Sequence, residues 1–182
     1  MTENILQMSG ISKSFMGVKA LKNVTFNIKK GKVNVLMGEN GAGKSTLMRI
    51  LAGAHRQDSG KLLLDGKELI INTPQDSLNN GISMIYQELN LVLGMTVEEN
   101  IFLGKEIKKF GFLNKKQLIQ KTEELMDKYE IYISPNAVAG KLSIANQQML
   151  EILKALSIDS KIIIMDEPTS SLTTPEVRKL FK

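Results

Sequence analysis

The sequence predicts an α/β fold: a β-rich start, an α/β centre, a helical stretch and a return to α/β within 182 residues. Three observations carry this. Val24, Phe26 and Ile28 alternate with polar residues, the period of a half-buried antiparallel strand. A glycine-rich loop, Gly38–Gly43, separates a continuous apolar run from a helix-like segment. From Thr96 onward apolar positions recur at helical intervals instead.

In chain order, residues 4–9 and 18–28 read as strands. Lys29-Lys30-Gly31 turns the chain into Lys32–Met37, whose apolar run predicts a buried strand. Lys44–Ala52 reads as a helix with Gly53 as its stop. Leu62–Asp65 and Leu69–Ile71 predict a small hairpin around Asp65-Gly66. A short helix after Pro74 ends at Gly81, and a strand follows over Ile82–Tyr86. Thr96 and Glu99 have capping-box spacing. Leu118, Thr122, Leu125 and Tyr129 mark one helix, and Ser143 opens another with Ala145, Met149, Ile152, Leu153 and Leu156 on one face. Ile162–Met165 is a buried strand that ends in Asp166.

Composition narrows the function classes. An apolar content of 42% supports a proper core, and the absence of cysteine excludes disulfides and thiolate zinc sites. MTENILQMSG lacks a secretory pattern, and no run of about 18 apolar residues occurs, so the sequence predicts a soluble chain. The net charge of +5 is scattered, and with 5% aromatics and no Trp there is no stacking platform for nucleic acid, which is not expected as a partner.

Gly38-Glu39-Asn40-Gly41-Ala42-Gly43-Lys44-Ser45 matches G-x-x-x-x-G-K-[ST] between a predicted strand and a predicted helix. Glycines let backbone amides approach phosphate oxygens, and the following helix presents its positive end. Lys44 can bridge the terminal phosphates, and Ser45 can offer its hydroxyl to Mg²⁺. Ile162–Asp166 supplies the second half of such a site: an acid at a strand's carboxyl end, placed to hold Mg²⁺. Glu167, one residue on, is placed to polarise an attacking water.

With these motifs the chain resembles the ABC ATPases, from near residue 5 to its last residue. The resemblance implies a P-loop NTPase core with an antiparallel β subdomain (1–30 and 58–75) and a helical subdomain (96–156), the core being 31–57, 76–95 and 157–182. It implies ATP and Mg²⁺ as cofactors. Phe15 would stack on adenine, Thr46 would follow Ser45 in contacting the phosphates, and Gln87 would contact Mg²⁺ and sense the membrane subunits. Leu142–Gln148 occupies the signature position, where Ser143 would reach ATP held by an opposite domain; the alternative for Ser143 is an N-cap role alone. Ile144 and Ala145 stand where that signature usually has two glycines, Asn146 where Gln is usual, and Thr173 where the D-loop has Asp. These departures predict asymmetry between two ATP sites.

As a set, GISKSFMGVKAL, IYQELNLVL, MTVEENIFLG, GKLSIANQQMLEILKAL and MDEPTSSLT are similar to the ATPase subunits of bacterial monosaccharide importers of the ribose and galactose type. That branch implies ATP hydrolysis powering sugar import through permease subunits, with a second ABC domain as partner. The place would be the cytoplasmic face of the inner membrane, with docking near Gln87–Met95. The alternatives are a soluble ABC ATPase acting on DNA or ribosomes, or a regulatory module with little hydrolysis. A helix beginning at Thr174-Pro175 close to Lys182 predicts an amino-terminal fragment. His55, the single histidine, is not placed as the family's switch histidine and reads as a surface residue, so the fragment is expected to bind ATP but turn it over slowly.

Overall fold

β1 (Asn4–Phe15) and β2 (Val18–Lys29) form a long antiparallel hairpin in a computed structural model that describes residues 3–109 and 112–166. β1 runs well past the predicted residue 9. A register shift between Met8 and Ile11 keeps Leu6, Met8 and Ile11 all fully buried, although strict alternation would turn Ile11 outward. β3 (Ser59–Leu64) and β4 (Lys67–Glu68) complete a four-stranded sheet in the order β2-β1-β3-β4. Both hairpins close on two residues with positive φ, Met16-Gly17 (46° and 85°) and Asp65-Gly66 (50° and 75°). These turns match the right-handed twist of the strands they join.

α1 (Lys44–Leu51) buries Leu47, Ile50 and Leu51, and α2 (Pro74–Asn79) begins at a reciprocal capping box between Thr73 and Asp76. The predicted buried strand over Lys32–Met37 is not formed. Val33 and Val35 are each 71% exposed and Met37 is 85% exposed. A strand needs a ladder partner, and among the described residues none lies alongside. Instead the Asn34 side chain bonds the chain locally, accepting from Lys29 N–H (3.0 Å) and donating to the Lys29 and Lys32 carbonyls (3.2 and 2.9 Å).

These elements make up one unit, Met1–Ile82, and a second unit begins at Ser83. In the second, β5 (Ile82–Ile85) pairs with β8 (Ile162–Met165). Ser160 Oγ lies 3.0 Å from Ser83 Oγ, and Asp166 N–H donates to the Ile85 carbonyl (3.1 Å), so the two strands run the same way. α3 (Val97–Ile101), α4 (Lys115–Tyr129) and α5 (Ile144–Leu156) surround a core of Ile85, Val97, Ile101, Met126, Leu150 and Leu153. A short pair, β6 (Lys108–Lys109) and β7 (Phe112–Leu113), was not legible in the periodicity. Among the described residues no helix is long and apolar enough to cross a membrane.

Candidate nucleotide-binding site

The phosphate loop ends on Gly43, which caps α1 at φ 88° and ψ 4°. A β-carbon there would lie 2.6 Å from the Ala20 carbonyl oxygen and 2.7 Å from Leu21 Cδ2, so the helix starts in direct contact with β2. No side chain caps α1 and no acid lies in its first turn. The amides of Lys44, Ser45 and Thr46 donate to no acceptor among the described residues, which leaves the positive helix end open. The Lys44 ammonium folds back over the loop and donates to the carbonyls of Gly38 (2.7 Å) and Glu39 (2.8 Å), while Ala42 N–H closes a turn onto Glu39 (3.2 Å). Asn40, Gly41 and Ser45 are exposed on the rim. Open backbone donors beside an ammonium suit phosphate oxygens, so these residues fit the triphosphate of a nucleotide.

Phe15 ends β1 and is 39% exposed. Its cross-strand partner is Val18, and Ala20, which Gly43 touches, is two residues further along β2. Roughly 7 Å of β2 therefore separates Val18, opposite Phe15, from the residue that the phosphate loop touches. His55 is not the plain surface residue expected. It is half-buried, with its ring 5.1 Å from that of Phe15 at 67°. Asp58 accepts from Lys13 Nζ and Ser14 N–H, both at 2.7 Å, and fastens the segment carrying His55 to β1. These hydrogen bonds, first the one from Lys13, hold the Asp58 carboxyl below its usual range.

In the second unit, Asp166 directly follows β8 and exposed Gln87 lies two residues beyond β5, at the same end of the paired strands. The segment after Gln87 is tied down by side chains that sequence reading did not single out. The largely buried Glu151 carboxylate accepts Asn90 N–H (2.7 Å), and Lys154 donates to the Asn90 carbonyl (2.8 Å). The fully buried Asn100 amide accepts from Val92 N–H (2.8 Å) and donates to the Val92 and Thr96 carbonyls, both at 3.0 Å. A polar residue inside an apolar helical stretch was the available signal. Leu91 packs on the core, whereas Val92 and Leu93 point outward at 41% and 54% exposure. Ser143 caps α5 by accepting from Asn146 N–H (3.3 Å), with Ile144 exposed beside it. Glu167, Ser170–Thr173 and the expected helix after Thr174 lie outside the described residues.

The profile of the ABC transporter family matches residues 21–170. A Geobacillus kaustophilus protein provisionally named as a ribose/galactose/methyl galactoside import ATP-binding protein is 54% identical over 180 residues, covering 98% of this chain and 36% of its own length. The arabinose import ATP-binding protein of Mannheimia succiniciproducens is 51% identical, covering 97% and 35%. The galactose/methyl galactoside import ATP-binding protein of Escherichia coli K12 is 49% identical, covering 98% and 35%. The chain thus spans about a third of the length of these curated relatives. Among solved structures, a nucleotide-free ATP-binding cassette from an ABC transporter superposes with a TM-score of 0.85 at 27% identity, over 98% of this chain and 75% of that one. A cassette in its ADP conformation gives 0.83 at 28% identity, over 99% and 75%. With the family profile covering most of its residues, the chain belongs to the ABC transporter family as an ATP-binding cassette.

Proposed function

We propose that this chain is the amino-terminal ATP-binding domain of a protein that powers import of a sugar through a membrane permease. The observation that carries ATP binding is the open amino end of α1 with the Lys44 ammonium folded over it. The sugar class rests on the relatives, which are named for import of ribose, galactose, methyl galactoside and arabinose.

In this reading Lys44 exchanges its two carbonyl partners for terminal phosphate oxygens, and the amides at the start of α1 complete the cradle. Ser45, Gln87 and Asp166 would hold Mg²⁺, which when bound offsets the charge of the terminal phosphates. Glu167 orients the attacking water and accepts its proton, a positioning task. Phe15 stacks on the base. Ser143 and the amino end of α5 meet ATP held by a second ABC domain, either in tandem or in a second copy. The exposed face at Val92 and Leu93 meets the permease, which would keep the protein peripheral to the cytoplasmic face of the inner membrane.

Titration calorimetry of Lys44→Ala tests the phosphate loop. Affinity for MgATP should fall at least tenfold, because the terminal phosphates lose their nearest cation. Unchanged affinity would rule the assignment out.

A further inference from the structure

Phe15 stands at a hairpin tip, where an aromatic ring with 39% exposure would ordinarily sample several orientations. Two anchored side chains restrict it. His55 meets the ring nearly edge-on at 5.1 Å and 67°, a favoured aromatic geometry. Lys13 Nζ lies 5.5 Å from the ring centroid, within cation–π range, and is held by its 2.7 Å ion pair with Asp58.

The backbone of His55 is also fixed, because Ala54 and His55 both donate to the Arg49 carbonyl (2.9 and 3.2 Å) at the end of α1. Asp58 N–H donates to Ser12 on β1 (2.9 Å). The segment from α1 to β3 is thus laced at one end to the phosphate-loop helix and at the other to the strand that carries Phe15. Neither ring nitrogen of His55 bonds a described residue, and among these the imidazole meets Phe15 by ring packing.

We infer that His55 is a positioning residue for base recognition: from a backbone anchored to the Arg49 carbonyl, its ring fixes the Phe15 ring in a stacking orientation. The inference rests on the reading that Phe15 stacks on a nucleotide base. Pre-setting the ring removes an ordering cost at binding. Since packing provides the hold, another aromatic ring at position 55 should provide it as well.

The test compares two ligands on the same chain, ATP, which has a base, and inorganic tripolyphosphate, which has none. His55→Ala should weaken ATP binding by roughly three- to tenfold, the range expected for one aromatic pair. Tripolyphosphate affinity should stay unchanged, which also reports that the chain is folded. His55→Phe should restore ATP affinity. Phe15→Ala serves as the reference and should lower ATP affinity at least as much, again sparing tripolyphosphate. Wild-type ATP affinity in His55→Ala beside a loss in Phe15→Ala would overturn the role of His55 while leaving base stacking intact. An unaltered ratio of ATP to tripolyphosphate affinity in Phe15→Ala would overturn both. Equal loss of both ligands in His55→Ala, or failure of His55→Phe to restore ATP binding, would reduce His55 to a structural residue and overturn the inference.

Discussion

Replacing Gly43 by alanine should be among the most damaging single-methyl changes in the phosphate loop. At φ 88° an L-residue sits in the left-handed region, a penalty of about 1–2 kcal/mol. The new β-carbon would also stand 2.6 Å from the Ala20 carbonyl oxygen and 2.7 Å from Leu21 Cδ2. Leu21 can rotate, but Ala20 is backbone within β2, so α1 itself must shift away from the strand. Overpacking of this kind costs about 1–3 kcal/mol, which gives roughly 2–5 kcal/mol in all. Gly41→Ala is the matched control. Gly41 has φ 82°, yet its β-carbon would meet nothing within 4 Å, so only the conformational penalty of about 1–2 kcal/mol applies. Urea denaturation of the wild type and both variants separates the two contributions. Gly43→Ala should show the lower midpoint and weaker MgATP binding in calorimetry. If the two variants lose equal stability, α1 does not rest on β2 as described and the contact reasoning fails.

Ser143→Ala should lower stability by about 1 kcal/mol through loss of the α5 cap, while Ser143→Asn keeps a capping oxygen and the stability. If Ser143 also reaches ATP across a domain pair, ATP-dependent dimerisation in light scattering should fall in both variants; dimerisation intact in Ser143→Asn would confine the residue to capping. Leu93→Ser in the full-length protein should abolish coupling of ATP to sugar uptake without altering ATP binding, whereas Leu91→Ser should lower the melting temperature because Leu91 packs on the core. Normal uptake by Leu93→Ser would remove this face as the docking surface. Acid should weaken the fold through Asp76 and Glu99. Hydrogen bonds lower both carboxyls, principally the Asn72 N–H at Asp76 and the Thr96 N–H at Glu99. Their contribution is complete above the unfolded value of about 4 and is lost as pH falls through the lower folded values. Melting curves from pH 6 to pH 2.5 should therefore decline more gently for Asp76→Asn than for the wild type, and parallel curves would contradict the sign.

Much of this protein is local, and the sequence therefore determined it. Phosphate-loop spacing, Gly53 after α1, the Asp65-Gly66 turn, the Thr96–Glu99 cap and the Ser143 cap are set by residues a few positions apart, where backbone conformation and hydrogen bonding leave few alternatives. Resemblance supplied roles for Phe15 and Gln87 that no spacing rule contains. Tertiary structure decided whatever depends on distant partners. Lys32–Met37 reads as a buried strand because most of its side chains are apolar, yet a strand exists only where another backbone lies beside it, and here the Asn34 amide takes the local bonds instead. Ile11 lies inside because of a register shift between β1 and β2 that alternation cannot foresee. His55 reads as a surface residue until the Asp58 bonds and the Arg49 carbonyl bring it against Phe15, forty positions earlier in the chain by number. Asn100 and Glu151 look like helix polarity until they are seen holding the segment after Gln87. A side chain's neighbours in sequence fix its conformation; its neighbours in space fix its burial and its work, and only the folded chain chooses those.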